Sequence, residues 1–467
     1  MVELLFHGAT EEVTGSMHML RVGDRWLALE CGLYQGRRES SERKNREWPV
    51  PPRDVDAVIL SHAHTDHAGR LPYLVNQGFE GPIYCTPATR DLCAIMLPDS
   101  AHIQQEDVYY VNKRRARKGL DPIEALYDLH DALAAVHNMR TVSTNRWFAP
   151  IPGVQVRFNE AGHMLGSAGV HVVFGDRPDA SPSLYFTGDV GRFEAAILHD
   201  PAPLPPADYV ISESTYGGRV NEDPEVSHDR VLEVISRTLA RGGKVIMPSF
   251  AVGRTQTIIY YLQQHFAEGR LQRVPVYIDS PLAYDATQVF RMHADLFDAE
   301  ARDMLRGTSG VLGAGCCTFI RDVEDSKALH QKQDPCVIIS ASGMCEAGRI
   351  RHHLKNNISN PKHTILIPGY QAEGTLGRRL VEGAKRITLF HEEYQVRADV
   401  VQINGFSGHA DQRELIELLS PLRSRARSVF LVHGERSQSD VLAERLRTTG
   451  FADVQVAVRG QRVRLSG

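Results

Sequence analysis

Residues 61–69 read SHAHTDHAG, which places His62, His64, Asp66 and His67 within six positions, directly after the apolar run VDAVIL. Three imidazoles and a carboxylate crowded into one loop repel protons and one another unless a cation holds them. His62 and His64 are two apart, and Asp66 and His67 are adjacent. A tight turn after a strand therefore aims two imidazoles at one cation and a carboxylate–imidazole pair at a second. A helix could not do this, because residues two apart on it point in different directions. One histidine here would more often cap a helix. The four together read as a two-metal signature.

A pair of metals needs further ligands, and three occur on loops that follow strand-like runs. They are His163 in NEAGHMLGSAGVHVVF, Asp189 in SLYFTGDVG and His433 in SVFLVHGE. Each alone is as readily an ordinary turn residue. With the first loop they make seven metal-seeking side chains at strand ends, where α/β sheets place their chemistry.

HAHTDH, the AGHMLGSA turn, FTGD and LVHGE resemble the metallo-β-lactamase superfamily. ESTYG, SASGM, GYQAEGTLGRRL and FSGHAD resemble its β-CASP nuclease branch. The resemblance covers nearly the whole chain, with the strings in family order. Within the branch it is strongest to stand-alone prokaryotic RNA-processing nucleases and to the endonuclease subunit that cuts eukaryotic pre-mRNA 3′ ends.

The resemblance implies two zinc ions per chain, one on His62, His64 and His163, the other on Asp66, His67 and His433, with Asp189 shared. Asp66 counts as a catalytic residue as well as a ligand. It also implies that Glu213 of ESTYG orients His409 of SGHAD, a general acid. The branch's first motif is an Asp at a strand end, whereas this chain has Glu30 in WLALECG. Glu30 is expected either behind a ligand histidine, its backbone set back for the extra methylene, or as a solvated strand-end carboxylate.

Composition fits a soluble enzyme. The 467 residues are too many for one ordinary domain, and 42% hydrophobic with 24% charged residues is globular. The start MVELLFHGATEEV has no basic leader before an apolar stretch, and no run of about 18 apolar residues suggests a membrane span. A cytoplasmic location is expected. Seven cysteines without C-x-x-C argue against a disulfide framework or thiolate zinc site.

Strand-like runs dominate the first 85 residues. Residues 88–146 read as helices punctuated by Pro98 and Gly119, and further strands fall at 154–158, 169–174, 184–187 and 208–212. From 213 helices and strands alternate, the pattern of a parallel sheet with crossover helices. The expected fold is α/β, a metallo-β-lactamase αββα sandwich carrying an inserted α/β β-CASP domain. The boundaries expected are 1–212 and 396–467 for the sandwich and 213–395 for the insert.

The net charge of −4 gives no global sign of nucleic-acid binding. Locally, residues 335–391 hold eight basic residues (Arg349, Arg351, Lys355, Lys362, Arg378, Arg379, Lys385, Arg386) against Glu346, Glu373 and Glu382, an excess of five. Such a stripe attracts a phosphate backbone. Expected RNA contacts are Arg254, Arg349, Arg378 and Arg379 through side chains and the turn at Ser342 and Gly343 through backbone N–H groups. KRRARK at 113–118 forms a second run, of a kind that is usually a solvated helix face.

The function expected is zinc-dependent, two-metal hydrolysis of single-stranded RNA, endonucleolytic, leaving 5′-phosphate and 3′-hydroxyl. A DNA nuclease of the same branch, a small-molecule metallohydrolase acting on a thioester or lactam, and a non-catalytic scaffold subunit are the alternatives. The sequence does not fix an oligomeric state, and a homodimer is among those it allows.

Overall fold

The computed structural model describes residues 2–466 except 37, 176, 178–180, 223, 309–311 and 373. Glu373 of the basic window thus lies outside the described residues. The chain divides into two compact units. The first comprises 1–193, 200–220 and 409–467, the second 194–199 and 221–408.

Two seven-stranded sheets build the first unit. In one, Arg462–Leu465, Val2–Phe6, His18–Val22 and Arg25–Leu29 run antiparallel, and Ala57–Ile59, Ile83–Cys85 and Met139–Thr141 continue in parallel. In the other, Val454–Val456, Ser428–Val432, Tyr209–Glu213 and Ser183–Phe186 are parallel neighbours. Ala168–Phe174, Val154–Glu160 and Trp147–Ile151 extend that sheet antiparallel.

Alternation along the strands puts Leu4, Phe6, Leu20, Leu27 and Ile59 of the first sheet against Val156, Phe158, Val170, Val172, Phe186, Ile211 and Phe430 of the second. That apolar layer is the core of a sandwich. On the outer face of the second sheet, Leu415, Leu418 and Leu419 of helix Gln412–Leu419 and Leu442, Ala443 and Leu446 of helix Arg436–Thr448 pack on Val210, Val429 and Leu431. Helices Leu71–Asn76, Pro87–Ala116 and Leu129–His137 belong to the first sheet's side and bury Leu71, Leu74, Leu92 and Leu97. Sheets inside and helices outside give the αββα layering.

Pro98 does not end its helix, contrary to the sequence expectation; one helix runs from Pro87 to Ala116. Burial of Leu92, Cys93, Leu97 and Ala101 on either side of the proline holds both halves in line, so packing outweighs the lost backbone hydrogen bond.

The second unit carries a six-stranded parallel sheet in the order Thr318–Phe319, Val276–Asp279, Val337–Ser340, Val245–Pro248, Thr364–Pro368, Asp399–Ile403. Ile246, Ile338, Ile365 and Ile367 pack beneath Ile350 and Leu354 of helix Ile350–Asn357. The last strand marks a difference from the expected boundary at 395/396. Asp399–Ile403 pairs in parallel with Thr364–Pro368, so this sheet continues past 396 and the unit ends at 408. At the other boundary, Glu213 is the last residue of a buried strand in the sandwich, and the division falls at 220/221. Edge pairing, invisible in composition, sets both limits.

Candidate metal centre

Every side chain of the centre hangs from the carboxyl end of a sandwich strand or just beyond it. Glu30 follows Arg25–Leu29, His62 and His64 follow Ala57–Ile59, and His163 follows Val154–Glu160. Asp189 follows Ser183–Phe186, Glu213 closes Tyr209–Glu213, and His433 follows Ser428–Val432. Asp66 and His67 lie on a single helical turn, Thr65–Ala68, where an all-loop segment was expected. His64 precedes that turn, so the two imidazoles keep the loop geometry while the Asp66–His67 pair is presented by the helix.

Backbone contacts fix the segment. Ser16 N–H donates to the Asp66 carbonyl at 2.8 Å and Cys31 N–H to the His67 carbonyl at 2.8 Å. Gly32 permits this approach, since a Cβ there would stand 1.6 Å from the Asp66 carbonyl oxygen. Gly188, at φ 57°, makes the turn that delivers Asp189; a Cβ would meet Ser61 at 2.8 Å.

The donor atoms form two groups. His62 Nε2 and His163 Nε2 each lie 3.1 Å from His64 Nδ1. His433 Nε2 lies 3.1 Å from His67 Nε2 and 3.5 Å from Asp66 Oδ2. Asp189 Oδ2 stands between the groups, 3.6 Å from both His62 Nε2 and His163 Nε2 and 3.3 Å from His67 Nε2. Ligands about 2.0–2.2 Å from a tetrahedral zinc lie about 3.3 Å from one another, and both groups match that spacing.

The chemistry of the donors points the same way. Asp189 is buried and its Oδ1 has no hydrogen-bond partner. Glu30, Asp66, Asp189 and Glu213 bring four carboxylates together, and no Lys or Arg pairs with any of them among the described residues. Buried carboxylates need cations, and the seven donors fit two. Burial and then the charge of His67 push His62 well below the usual histidine range, and burial takes His64 down to about 4 against the pull of Asp66. Both rings are therefore neutral near pH 7 and keep a lone pair for a cation. Burial would raise Asp189, but His433 and His67 outweigh it and hold the carboxyl well below its usual range.

A second layer sets the rings. Glu30 is fully buried, not solvated. Its Oε1 accepts from Ser61 N–H at 2.7 Å and its Oε2 lies 2.7 Å from His67 Nδ1. Glu30 has a left-handed backbone, φ 71°, a conformation that costs a non-glycine residue about 1 kcal/mol. Two supports escaped the sequence reading. Ser61 Oγ lies 2.8 Å from His62 Nδ1, and Thr215 Oγ1 lies 3.1 Å from His433 Nδ1. Both sit inside the quoted strings SHAHTDHAG and ESTYG, so position in the string was the available signal.

Beside the two groups, His409 Nδ1 lies 3.2 Å from each carboxylate oxygen of Glu213. Glu213 Oε1 also accepts from Val190 N–H at 2.5 Å, which locks the carboxylate. Ring centroids of His409 and His163 are 4.5 Å apart. Burial opposes charge on His409, but Glu213 and then Asp189 outweigh it and push its pKa up to about 10.

The expected nucleic-acid contacts lie in the second unit. Arg349 is turned inward: its guanidinium donates to Asp279 Oδ1 at 2.7 Å and to the carbonyls of Ile320 at 3.3 Å and Arg321 at 2.6 Å. Asp279 is fully buried and also lies 2.6 Å from His353 Nε2 and from Ser326 Oγ. Arg349 is thus a clamp within the unit. Arg254 opens helix Arg254–Ala267 with its guanidinium 5.0 Å from the Phe250 ring centroid. Arg378 Nε pairs with Glu382 at 2.7 Å, while Arg379 is exposed. The Ser342 hydroxyl donates to the Ala347 carbonyl at 3.2 Å, and the Gly343 carbonyl accepts from Gln371 Nε2 at 3.0 Å.

The basic excess is also smaller than the 335–391 window suggests. Strand Glu392–Gln395 brings Glu392 to Lys355 at 3.5 Å and Glu393 to Arg386 at 3.2 Å. Counting these two acids lowers the excess from five to three.

The sandwich and the strand-end histidines and aspartates define a class: the chain belongs to the metallo-β-lactamase superfamily, whose model matches residues 15–216. Within it the chain falls in the β-CASP branch. The Beta-Casp domain model matches 255–380, and that of the Zn-dependent metallo-hydrolase RNA specificity domain matches 393–458. The chain is 36% identical over 460 residues to Ribonuclease TTHA0252 of Thermus thermophilus, covering 98% of this chain and 97% of that one. It is 31% identical over 467 residues to the RNase J-like protein of Methanocaldococcus jannaschii, covering 98% and 99%. Transcription termination factor FttA of Methanosarcina mazei is 31% identical over 446 residues, covering 92% of this chain and 66% of the relative. A solved protein of unknown function from Enterococcus faecalis shares the fold, with a TM-score of 0.54 at 11% identity and 99% coverage of both chains. The chain is a metal-dependent hydrolase of this branch. No helix among the described residues is long and apolar enough to cross a membrane.

Proposed function

We propose that the protein is a zinc-dependent ribonuclease that cuts single-stranded RNA internally by a two-metal mechanism, leaving 5′-phosphate and 3′-hydroxyl ends. The observation that carries this is Asp189 Oδ2 between the two donor groups, with the Glu213–His409 pair on their flank. The choice of RNA is supported by the ribonuclease relative, similar over nearly its full length, and by the RNA specificity domain match.

His62, His64 and His163 would hold one zinc and Asp66, His67 and His433 the other, with Asp189 placed to serve both. Bound there, the pair supplies Lewis-acid polarisation of the phosphodiester and a water acidic enough to attack it. Glu30 and Ser61 fix the rings of His67 and His62. Glu213 accepts the Nδ1 proton of His409, which leaves Nε2–H as the donor. As water adds to phosphorus and gives up a proton to solvent, the P–O3′ bond breaks, and the His409 Nε2 proton goes to the departing 3′ oxygen. In the second unit Arg254, Arg378 and Arg379 are the side-chain candidates for phosphate contact, with the Ser342–Gly343 turn beside Phe250.

The test is to incubate zinc-loaded protein with 5′- and 3′-end-labelled RNA and matched DNA and to map the products. Internal RNA cuts with 5′-phosphate ends, abolished by chelation, are expected. Equal turnover of DNA, or cleavage indifferent to chelation, overturns the reading.

A further inference from the structure

The long helix Pro87–Ala116 has two different halves. As far as Ala101 it is anchored by buried residues. Beyond Ala101 its side chains are largely exposed, with Tyr109 at 65% and Tyr110 at 62%. The two rings meet edge to face, centroids 5.5 Å apart, and touch no other ring among the described residues. Lys113, Arg114, Arg117 and Lys118 follow, all exposed. Helical spacing puts Lys113 four positions after Tyr109 and three after Tyr110, and Arg114 four and Arg117 seven after Tyr110, so rings and cations share a face. Arg115 points elsewhere, its Nε donating to the Asp121 carbonyl at 2.5 Å, and Asn112 exchanges two 2.8 Å hydrogen bonds with the Ile123 backbone. The returning segment 121–127 thus braces one side of the helix and leaves the tyrosine face open. Lys113, Arg117 and Lys118 make no ion pair among the described residues.

A solvated helix face accounts for the cations but not for two adjacent, largely exposed aromatic rings among them. Stacking platforms set in positive charge are what a single-stranded polyanion with flat bases requires. The helix is also tied to the metal centre at its other end. Hydroxyls of Thr86 and Thr89 donate to the Gly166 carbonyl at 2.6 and 2.9 Å, in the loop that carries His163. At 1.5 Å per residue, Thr89 and Lys113 are about 36 Å apart along the helix. The tyrosine face therefore lies far from the reacting phosphate and meets only a polymer.

We propose that Tyr109, Tyr110, Lys113, Arg114 and Arg117 form a second contact site for single-stranded RNA, with bases stacked on the tyrosines and phosphates on the cations. This rests on the ribonuclease reading and assigns that enzyme a preference for long substrates. The experiment separates this occupant from a second copy of the chain and from an anionic membrane.

Affinity for a labelled uridine 30-mer is read by anisotropy in His409→Ala protein, and turnover in otherwise native protein. Tyr109→Ala/Tyr110→Ala should raise the 30-mer Kd about tenfold and leave the KM of a pentanucleotide, too short to span the helix, within twofold. Tyr109→Phe/Tyr110→Phe should restore it, because the ring and not the hydroxyl stacks. Lys113→Gln/Arg117→Gln should flatten the log Kd against log salt slope by about 1.4, two single-strand contacts. An unchanged 30-mer Kd in all variants overturns the proposal. So does a tyrosine variant that only dissociates a dimer in sedimentation, or only loses binding to phosphatidylserine vesicles. Protein that binds the 30-mer through the tyrosines but never cleaves RNA overturns the ribonuclease reading and leaves the contact site standing.

Discussion

Glu30 Oε2 stands 2.7 Å from His67 Nδ1 while the same carboxylate accepts the Ser61 N–H, so one buried side chain orients a donor ring and pins the loop carrying His62 and His64. Its backbone there is left-handed, φ 71°. Glu30→Gln should weaken zinc affinity about 10–100-fold in a chelator titration without unfolding the protein. An unchanged titration would remove Glu30 from the centre.

Asp189 Oδ2 lies within 3.6 Å of imidazoles from both donor groups. Asp189→Ala should lower zinc content at both positions, read by mass spectrometry of the native protein, and abolish turnover. Retention of two zinc ions with full activity would show that the groups are independent.

His409 and His433 should separate cleanly. His433→Ala should lose metal, whereas His409→Ala should keep it and lose on the order of 10²–10⁴ in kcat. Because Glu213 raises His409, its acid form is complete at low pH and is lost as pH rises through its pKa. The kcat profile should therefore fall on the alkaline side. Glu213→Gln should move that limb to lower pH by about one unit or more. A limb that stays in place would assign it to another group.

Arg349 and Arg379 distinguish a clamp from a contact. Arg349→Ala leaves the buried Asp279 carboxylate short of a partner and should destabilise the protein by about 3 kcal/mol in urea unfolding. Arg379→Ala should leave stability unchanged and weaken RNA binding. The reverse pattern would reinstate Arg349 as a phosphate ligand.

The sandwich strands and the seven donors were legible because period-two apolar runs and short histidine strings are local signals. Four features were not. The inward turn of Arg349 depends on Asp279, seventy residues earlier in the chain and anonymous in VPVYIDS. The basic stripe was cut at 391, one residue before Glu392 and Glu393 fold back on it. Strand Asp399–Ile403 reads equally well as part of either sheet until its edge partner is known. Pro98 signals a break that buried neighbours override. In each case the deciding contact is a tertiary one that local residue type does not reveal.

His62, His64, His163 and Asp189 are all present once residue 189 has been made, but His67 and His433 are separated by 366 positions. At about 5–20 residues per second, ribosomal synthesis reaches His433 about 12–50 s after Asp189. Throughout that interval the nascent chain, still joined to the message being translated, holds six of the seven donors and lacks the imidazole that completes the second group. The order of donors along the polypeptide thus withholds the second group's last imidazole until residue 433 has been made.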